Sequence, residues 1–208
     1  RYNAKLLDAG QVIAISDYVH GLITSQYIGV EDRLTVVHRG VDTATFDPAA
    51  VSQARIINFA DSVALPEEVP VIMMPARSSS WKGHHILLDA LAKLTDLRFV
   101  CLFVGASDGK ARFVKNITEY AKARGLEGRF RLTPVVHDMP AALMVADVVV
   151  MPSVMPEPFG RVSLEAQAMG RPIVGFAHGG AVESIEHEKT GWLATPGDAN
   201  SLAENLRS

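Results

Sequence analysis

Two glutamates, Glu157 and Glu165, fall within residues 151–170, M-P-S-V-M-P-E-P-F-G-R-V-S-L-E-A-Q-A-M-G. An ionised carboxylate is an acceptor-only group that can receive two O–H donors at once, as a ribose diol presents them. The spacing predicts an apolar strand over residues 147–151, a Pro-rich turn, and a helix beginning near Phe159 or Gly160. At roughly 100° per residue that helix carries Ser163 and Gln167 on one side and Val162, Leu164, Ala166, Ala168 and Met169 around the other. Glu165 then falls near the middle of the apolar arc. A carboxylate aimed at an interior costs on the order of several kcal/mol unless something hydrogen-bonds it, or its pKa rises.

Glu157 stands just before the helix, so the two acids flank a first turn where the N–H groups of Phe159, Gly160, Arg161 and Val162 have no intrahelical acceptor. A helix start of this kind favours phosphate. Gly160 would let a ligand come close to the backbone, and Pro158 suits the turn because it lacks a donor. The combination describes a diphosphate site bracketed by hydroxyl-binding acids. The alternative is that Glu157 is a loop acid and Glu165 pairs with a buried arginine.

Further upstream, a continuous apolar run at residues 69–76 reads as a buried parallel strand. It leads into Arg77-Ser78-Ser79-Ser80-Trp81-Lys82-Gly83 and then an amphipathic helix with Leu87, Leu88, Leu91 and Leu94 on its core side. Two cations in a loop at the C-terminal end of a parallel strand are where an open α/β sheet receives anionic ligands. Arg77 can grip phosphate oxygens through two donors, and Lys82 adds a compact charge.

The elements that must position these groups alternate strand and helix. Residues 12–15 read as a strand, Ser16-Asp17 as a cap, and a short helix follows to about Ile28. Residues 34–38 form another strand, followed by Arg39-Gly40-Val41-Asp42 and Phe46-Asp47-Pro48, which alone reads as turn or linker. A helix spans about 49–64 and ends before Pro66. Strands are expected at 98–104, 129–132, 172–177 and 191–194, with helices at 110–124, through Val145, from Glu183, and after Asp198. Asp138 reads as an N-cap, Glu183 as a capping or packing acid and His137 as a ligand candidate. His178-Gly179-Gly180 permits either a close backbone approach or a tight turn. The alternation from Val69 onward implies right-handed crossovers and an α/β, doubly wound parallel sheet of the Rossmann-like kind.

With 208 residues, 48% hydrophobic and 21% charged, the chain is long enough for a full core. The 20 basic and 23 acidic residues leave a net charge of -3, so no broad basic field argues for nucleic acid. The single cysteine, Cys101, lies in an apolar strand, where packing outweighs reactivity and a reducing, cytoplasmic setting fits. No apolar run reaches the length of a membrane span, and the start shows no signal-peptide pattern. The chain begins without Met, which fits a piece of a longer polypeptide. No Gly-x-x-x-x-Gly-Lys loop is present and no Gly-x-Gly-x-x-Gly follows the first strand, which argues against nucleoside-triphosphate hydrolysis and nicotinamide chemistry.

The E-P-F-G-R-V-S-L-E segment followed by A-Q-A-M-G-R-P-I-V resembles the signature of family-4 retaining glycosyltransferases (group 1) of the GT-B fold, and further matches run from about Ile13 to the chain's end. That resemblance implies the C-terminal, donor-binding half of the fold: residues 1–42 as the tail of an N-terminal acceptor domain and hinge, the hinge opening at Gly40-Val41-Asp42 and Phe46-Asp47-Pro48, and 43–208 as the nucleotide-sugar domain. By matching the motif, Arg77 and Lys82 would hold the donor diphosphate, Glu157 the sugar hydroxyls and Glu165 the ribose. The loop at Val135 to Asp138 would lie against the base, with Val136 and Asp138 as its binding residues. The implied reaction moves a hexose from a UDP- or GDP-type sugar to a glycan, lipid or small-molecule acceptor, with retention and with neither metal nor cofactor. The chain by itself would bind donor without transferring. Peripheral membrane association of the intact enzyme, on the cytoplasmic face, is compatible with such acceptors. A catalytically silent binding module and a sugar-nucleotide epimerase are the alternatives on the same architecture.

Overall fold

A computed structural model describes residues 10–106 and 111–207, together with Lys5. The start of the helix expected at Lys110, and Ser107 to Gly109 before it, lie outside the described residues.

The chain folds into two sheets. The first is small: β1 (Val12–Ala14) and β2 (Leu34–Val36) pair in parallel, joined through helix α1 (Asp17–Gln26). Ser16 starts α1 as the sequence suggests, its hydroxyl accepting from Val19 N at 3.0 Å. Ala14, Val30 and Leu34 form the unit's own small core.

The second sheet has six parallel strands in the order β5-β4-β3-β6-β7-β8. These are β3 (Val71–Pro75), β4 (Val100–Val104), β5 (Phe130–Leu132), β6 (Val148–Met151), β7 (Ile173–Phe176) and β8 (Gly191–Ala194). Helices α2 (Gln53–Ser62), α3 (His84–Leu91), α4 (Ala111–Lys122), α5 (Met139–Met144), α6 (Arg161–Ala168), α7 (Ala181–Ser184) and α8 (Ala199–Arg207) complete the chain. The helix expected over 49–64 is split: a 3-10 turn at Pro48–Ala50 is capped by Asp47, and α2 starts anew at Ser52, whose hydroxyl caps Arg55 N.

Helices cover both faces of this sheet, so its strands can be apolar throughout. Ile72 and Met74 pack with Leu87 and Leu91 of α3, Ile117 of α4 and Leu202 of α8. Val71 and Met73 turn to the other face, against Phe59 of α2, Leu143 of α5 and Ala166 of α6. Cys101 is fully buried among the first group, and burial pushes its thiol pKa up. Among the described residues no helix is long and apolar enough to cross a membrane.

The strand order fixes where a ligand can sit. The chain runs from β3 outward through β4 and β5, then returns to lay β6 on the other flank of β3. Neighbouring crossovers therefore diverge at the β3/β6 pair, and the loops after these two strands border a crevice at their C-terminal ends.

Candidate functional site

That crevice is a cleft of 390 Å³. One wall comes from the loop after β3. Gly83 there has φ +84°, and a Cβ on it would lie 1.8 Å from the carbonyl oxygen of Pro152, so only glycine lets the two loops meet. Val154 N donates to Trp81 O across the same junction at 2.8 Å. Lys82 is thereby fixed, its ammonium 4.0 Å from the centre of the Trp81 ring and in contact with Glu157 Oε1. The adjacent His84 is buried against Phe103 and Phe113, and burial drives its pKa down to about 4, so it adds no charge at neutral pH.

Glu157, expected as a loop acid or a ligand group, is only 7% exposed. Ser153 Oγ donates to its Oε1 at 2.5 Å, and His178 Nε2 lies 2.8 Å from the Ser153 carbonyl oxygen. Gly179 and Gly180 back this turn. Gly180 N donates to Glu157 O at 2.8 Å, and a Cβ on Gly180 would come within 2.5 Å of Phe159 Cα. The double glycine therefore admits a close backbone approach, and what approaches is the protein's own turn. Gly160 likewise has φ +85° with its open side against the Met151 side chain at 2.9 Å, so its glycine is set by backbone conformation and by Met151, not by clearance for a ligand as the sequence suggested.

Helix α6 begins at Arg161 with no side-chain cap. This differs from α1, α2 and α5, which Ser16, Ser52 and Asp138 cap. Among the described residues the N–H groups of Gly160, Arg161 and Val162 donate to no loop carbonyl. Their partial positive charge faces the cleft.

The faces of α6 differ from the expected ones. Ser163 is fully buried, its hydroxyl bonding Gly160 O at 2.7 Å and Ser184 Oγ at 2.6 Å. Gln167 Nε2 donates to Ser163 O and Ser184 O. The polar side of the helix thus points inward, onto α7, because local partners satisfy it. Ser163, Ala166 and Met169 are the buried positions, while Val162 and Leu164 are only half-buried. Glu165 lies off the core at the cleft wall. It is half-buried, and among the described residues no arginine or lysine forms an ion pair with it. Desolvation raises its pKa above 4.5, and the nearby charge of Arg161 only partly opposes this.

Arg77, Lys82, Glu157, Phe159, Gly160, Arg161, Val162 and Glu165 all line this one cleft. Val136 and Asp138 do not line it. Val136 packs against the core, and Asp138 caps Ala141 N at 3.2 Å while taking Arg55 in a two-point bridge at 2.9 and 2.6 Å. Arg55 holds that carboxyl below its ordinary range. The cleft also includes Ile15 and Arg39, contributed by the β1–β2 unit, which the sequence did not mark out. Arg39 sits in a segment that reads as a turn, with no periodicity to point it anywhere. The assembled groups suit a ligand with clustered negative charge beside hydroxyls.

Residues 56–208 match the family signature described as "Glycosyl transferases group 1". The chain is 32% identical over 209 aligned residues to a D-inositol 3-phosphate glycosyltransferase of Salinispora tropica, covering 96% of this chain and 43% of that protein. Among solved structures, a glycosyltransferase from Rickettsia africae superposes with a TM-score of 0.92 at 32% identity, over 99% of this chain and 54% of that one. Anabaena Alr3699/HepE in complex with UDP-glucose gives 0.86 at 32% identity, over 96% and 53%. The chain spans about half the length of these relatives. A family match over residues 56–208, on a doubly wound sheet like that of GT-B enzymes, makes this chain a member of the group 1 glycosyltransferases.

Proposed function

We propose that the chain forms the donor site of a retaining, metal-independent glycosyltransferase, with residues 43–208 holding a nucleoside-diphosphate sugar and residues 1–42 belonging to the acceptor domain and hinge. The observation that carries this reading is the convergence of Arg77, Lys82 and an uncapped helix start on the cleft that also holds Glu165, a half-buried acid outside any ion pair among the described residues. Identity of 32% to an enzyme crystallised with UDP-glucose favours uridine as the nucleoside and a hexose as the sugar.

In this scheme Glu165, whose pKa burial raises, accepts the ribose hydroxyls. Glu157, fixed by Lys82 and Ser153, orients the sugar hydroxyls. When the bond between the anomeric carbon and the phosphate oxygen breaks, the electron pair stays on that oxygen and the diphosphate gains one negative charge. Arg77, Lys82 and the N–H groups of α6 then face the growing charge without having to reorganise, which is the main source of catalysis in such a site. The sugar passes to a glycan, lipid or small-molecule acceptor held mainly by the other half of the enzyme, so this chain alone binds donor without appreciable transfer. A nucleotide-sugar donor and a buried, unpaired Cys101 favour a cytoplasmic setting.

A thermal-shift panel of UDP, GDP and ADP with their glucose and mannose conjugates tests the reading. Ligand at 100 times Kd adds about 2.7 kcal/mol of stability. A rise in Tm with a nucleoside diphosphate and its sugar supports the donor site; no shift with any of them rejects it.

A further inference from the structure

The donor reading uses cations of the six-stranded unit only, yet the cleft has a contribution from the other sheet. Arg39 lines it, is exposed, and among the described residues pairs with no acid. Unpaired surface arginines are common, but three observations separate this one.

The segment carrying Arg39 is anchored. Val37 N donates to Ala14 O at 2.9 Å, which extends the pairing of β2 with β1. The next residue, His38, has Nε2 3.1 Å from Glu183 Oε2 and its ring centre 6.4 Å from that of Phe159. The anchoring also falls at one spot along the cleft. Ser16 Oγ donates to Pro158 O at 2.5 Å, so the β1–β2 unit touches the two residues immediately before Gly160 and the bare start of α6. Arg39 is therefore carried to the part of the cleft where phosphates would meet the helix.

The charges then balance. Lys82 and Glu157 neutralise each other, and Arg77, Arg161 and Glu165 together leave one net positive charge among the cleft-lining groups of the six-stranded unit. A nucleoside-diphosphate sugar has a negative charge on each of two phosphates. Arg39 supplies the missing positive charge, and its planar fork of donors suits phosphate oxygens.

Resting on the donor reading above, we infer that Arg39 is a donor-contacting residue supplied from outside the six-stranded unit: its guanidinium engages the diphosphate beside the start of α6, and the donor is gripped from both units at once. Free UDP, which carries more negative charge than UDP-glucose, gains more from it than the sugar conjugate does.

Calorimetric titration of UDP and UDP-glucose into the wild-type chain and into Arg39→Ala, Arg39→Lys and Arg77→Ala variants tests this. The expected result is an affinity loss of about tenfold for Arg39→Ala, larger for UDP than for UDP-glucose, and a smaller loss for Arg39→Lys. The Tm without ligand should not move, since the side chain is exposed and unpaired. If Arg39→Ala binds both ligands like wild type while Arg77→Ala does not, the inference is overturned and the donor site stands. If Arg39→Ala melts lower without ligand, its role is structural and the inference is likewise overturned. If wild type binds neither UDP, GDP, ADP nor their sugars, the donor reading itself fails and takes Arg39 with it.

Discussion

Lys82 and Glu157 touch across 75 positions of sequence, ammonium against carboxylate Oε1, and the same oxygen receives the Ser153 hydroxyl. Both partners are largely out of water, with side-chain exposures of 19% and 10%. Removing one of such a pair leaves a charge without compensation, which costs more than the pair contributes when intact. Lys82→Met is expected to destabilise the fold by about 2 kcal/mol in urea unfolding, below the roughly 3–5 kcal/mol of a fully enclosed pair. Adding Glu157→Gln should restore most of the loss. Simple additivity of the two substitutions would show that the contact is not a coupled pair.

Glu165 makes the opposite prediction, because its folded-state pKa lies above 4.5 through desolvation. A group that holds its proton more tightly in the folded state favours folding below its unfolded pKa, and that contribution is lost as pH rises through the raised value. At pH 7 the desolvated carboxyl of Glu165 is therefore a cost to the empty fold. Glu165→Gln should raise the Tm of the unliganded chain at pH 7 and leave it nearly unchanged at pH 4. It should also shrink the Tm rise given by UDP. A variant that melts lower at pH 7 and keeps the full UDP response would mark Glu165 as a structural acid.

The contrast between these acids bears on what the sequence could disclose. Strand and helix alternation, the caps at Ser16 and Asp138, and the convergence of Arg77, Lys82 and Glu165 were legible because period, cap chemistry and position after a buried strand are local signals. The direction of α6 was misread because Ser163 and Gln167 look like a solvent face until Ser184, a residue of α7, is seen to accept them. Arg39 was illegible for a related reason, and Glu183 was legible as a capping or packing acid but not as the cap of a helix far away in the chain. Arg39 reaches the cleft, and Glu183 the start of α1, only through the packing of the two units.

Gly83 and Gly197 separate conformational strain from steric exclusion. Both have positive φ, +84° and +75°, but a Cβ on Gly197 meets nothing within 4 Å while one on Gly83 falls 1.8 Å from Pro152 O. Gly197→Ala should cost only the left-handed backbone penalty, about 1 kcal/mol. Gly83→Ala must also push apart the loops that hold Lys82 against Glu157, and should cost at least twice as much while weakening UDP binding. Equal losses of Tm in the two variants would show that the loop junction yields freely.

Glu183 links the two sheets at the start of α1. Its carboxylate accepts from Asp17 N at 2.7 Å and Tyr18 N at 2.8 Å, so a side chain from α7 completes the cap that Ser16 begins. Burial alone would raise its pKa, but the N–H groups of Tyr18 and Asp17, with His38, outweigh burial and hold it below 4.5. A depressed carboxyl stabilises the fold above its unfolded pKa and loses that contribution as pH falls through the folded value. Acid below pH 4.5 should therefore loosen α1 before the six-stranded unit. Glu183→Gln, which keeps one acceptor oxygen and loses the charge, should cost about 1 kcal/mol of local stability at pH 7. Amide hydrogen exchange over residues 17–26 should then run about fivefold faster, with its acid dependence flattened. Unchanged exchange at Asp17 and Tyr18 in the variant would mean that Ser16 alone sets the start of the helix.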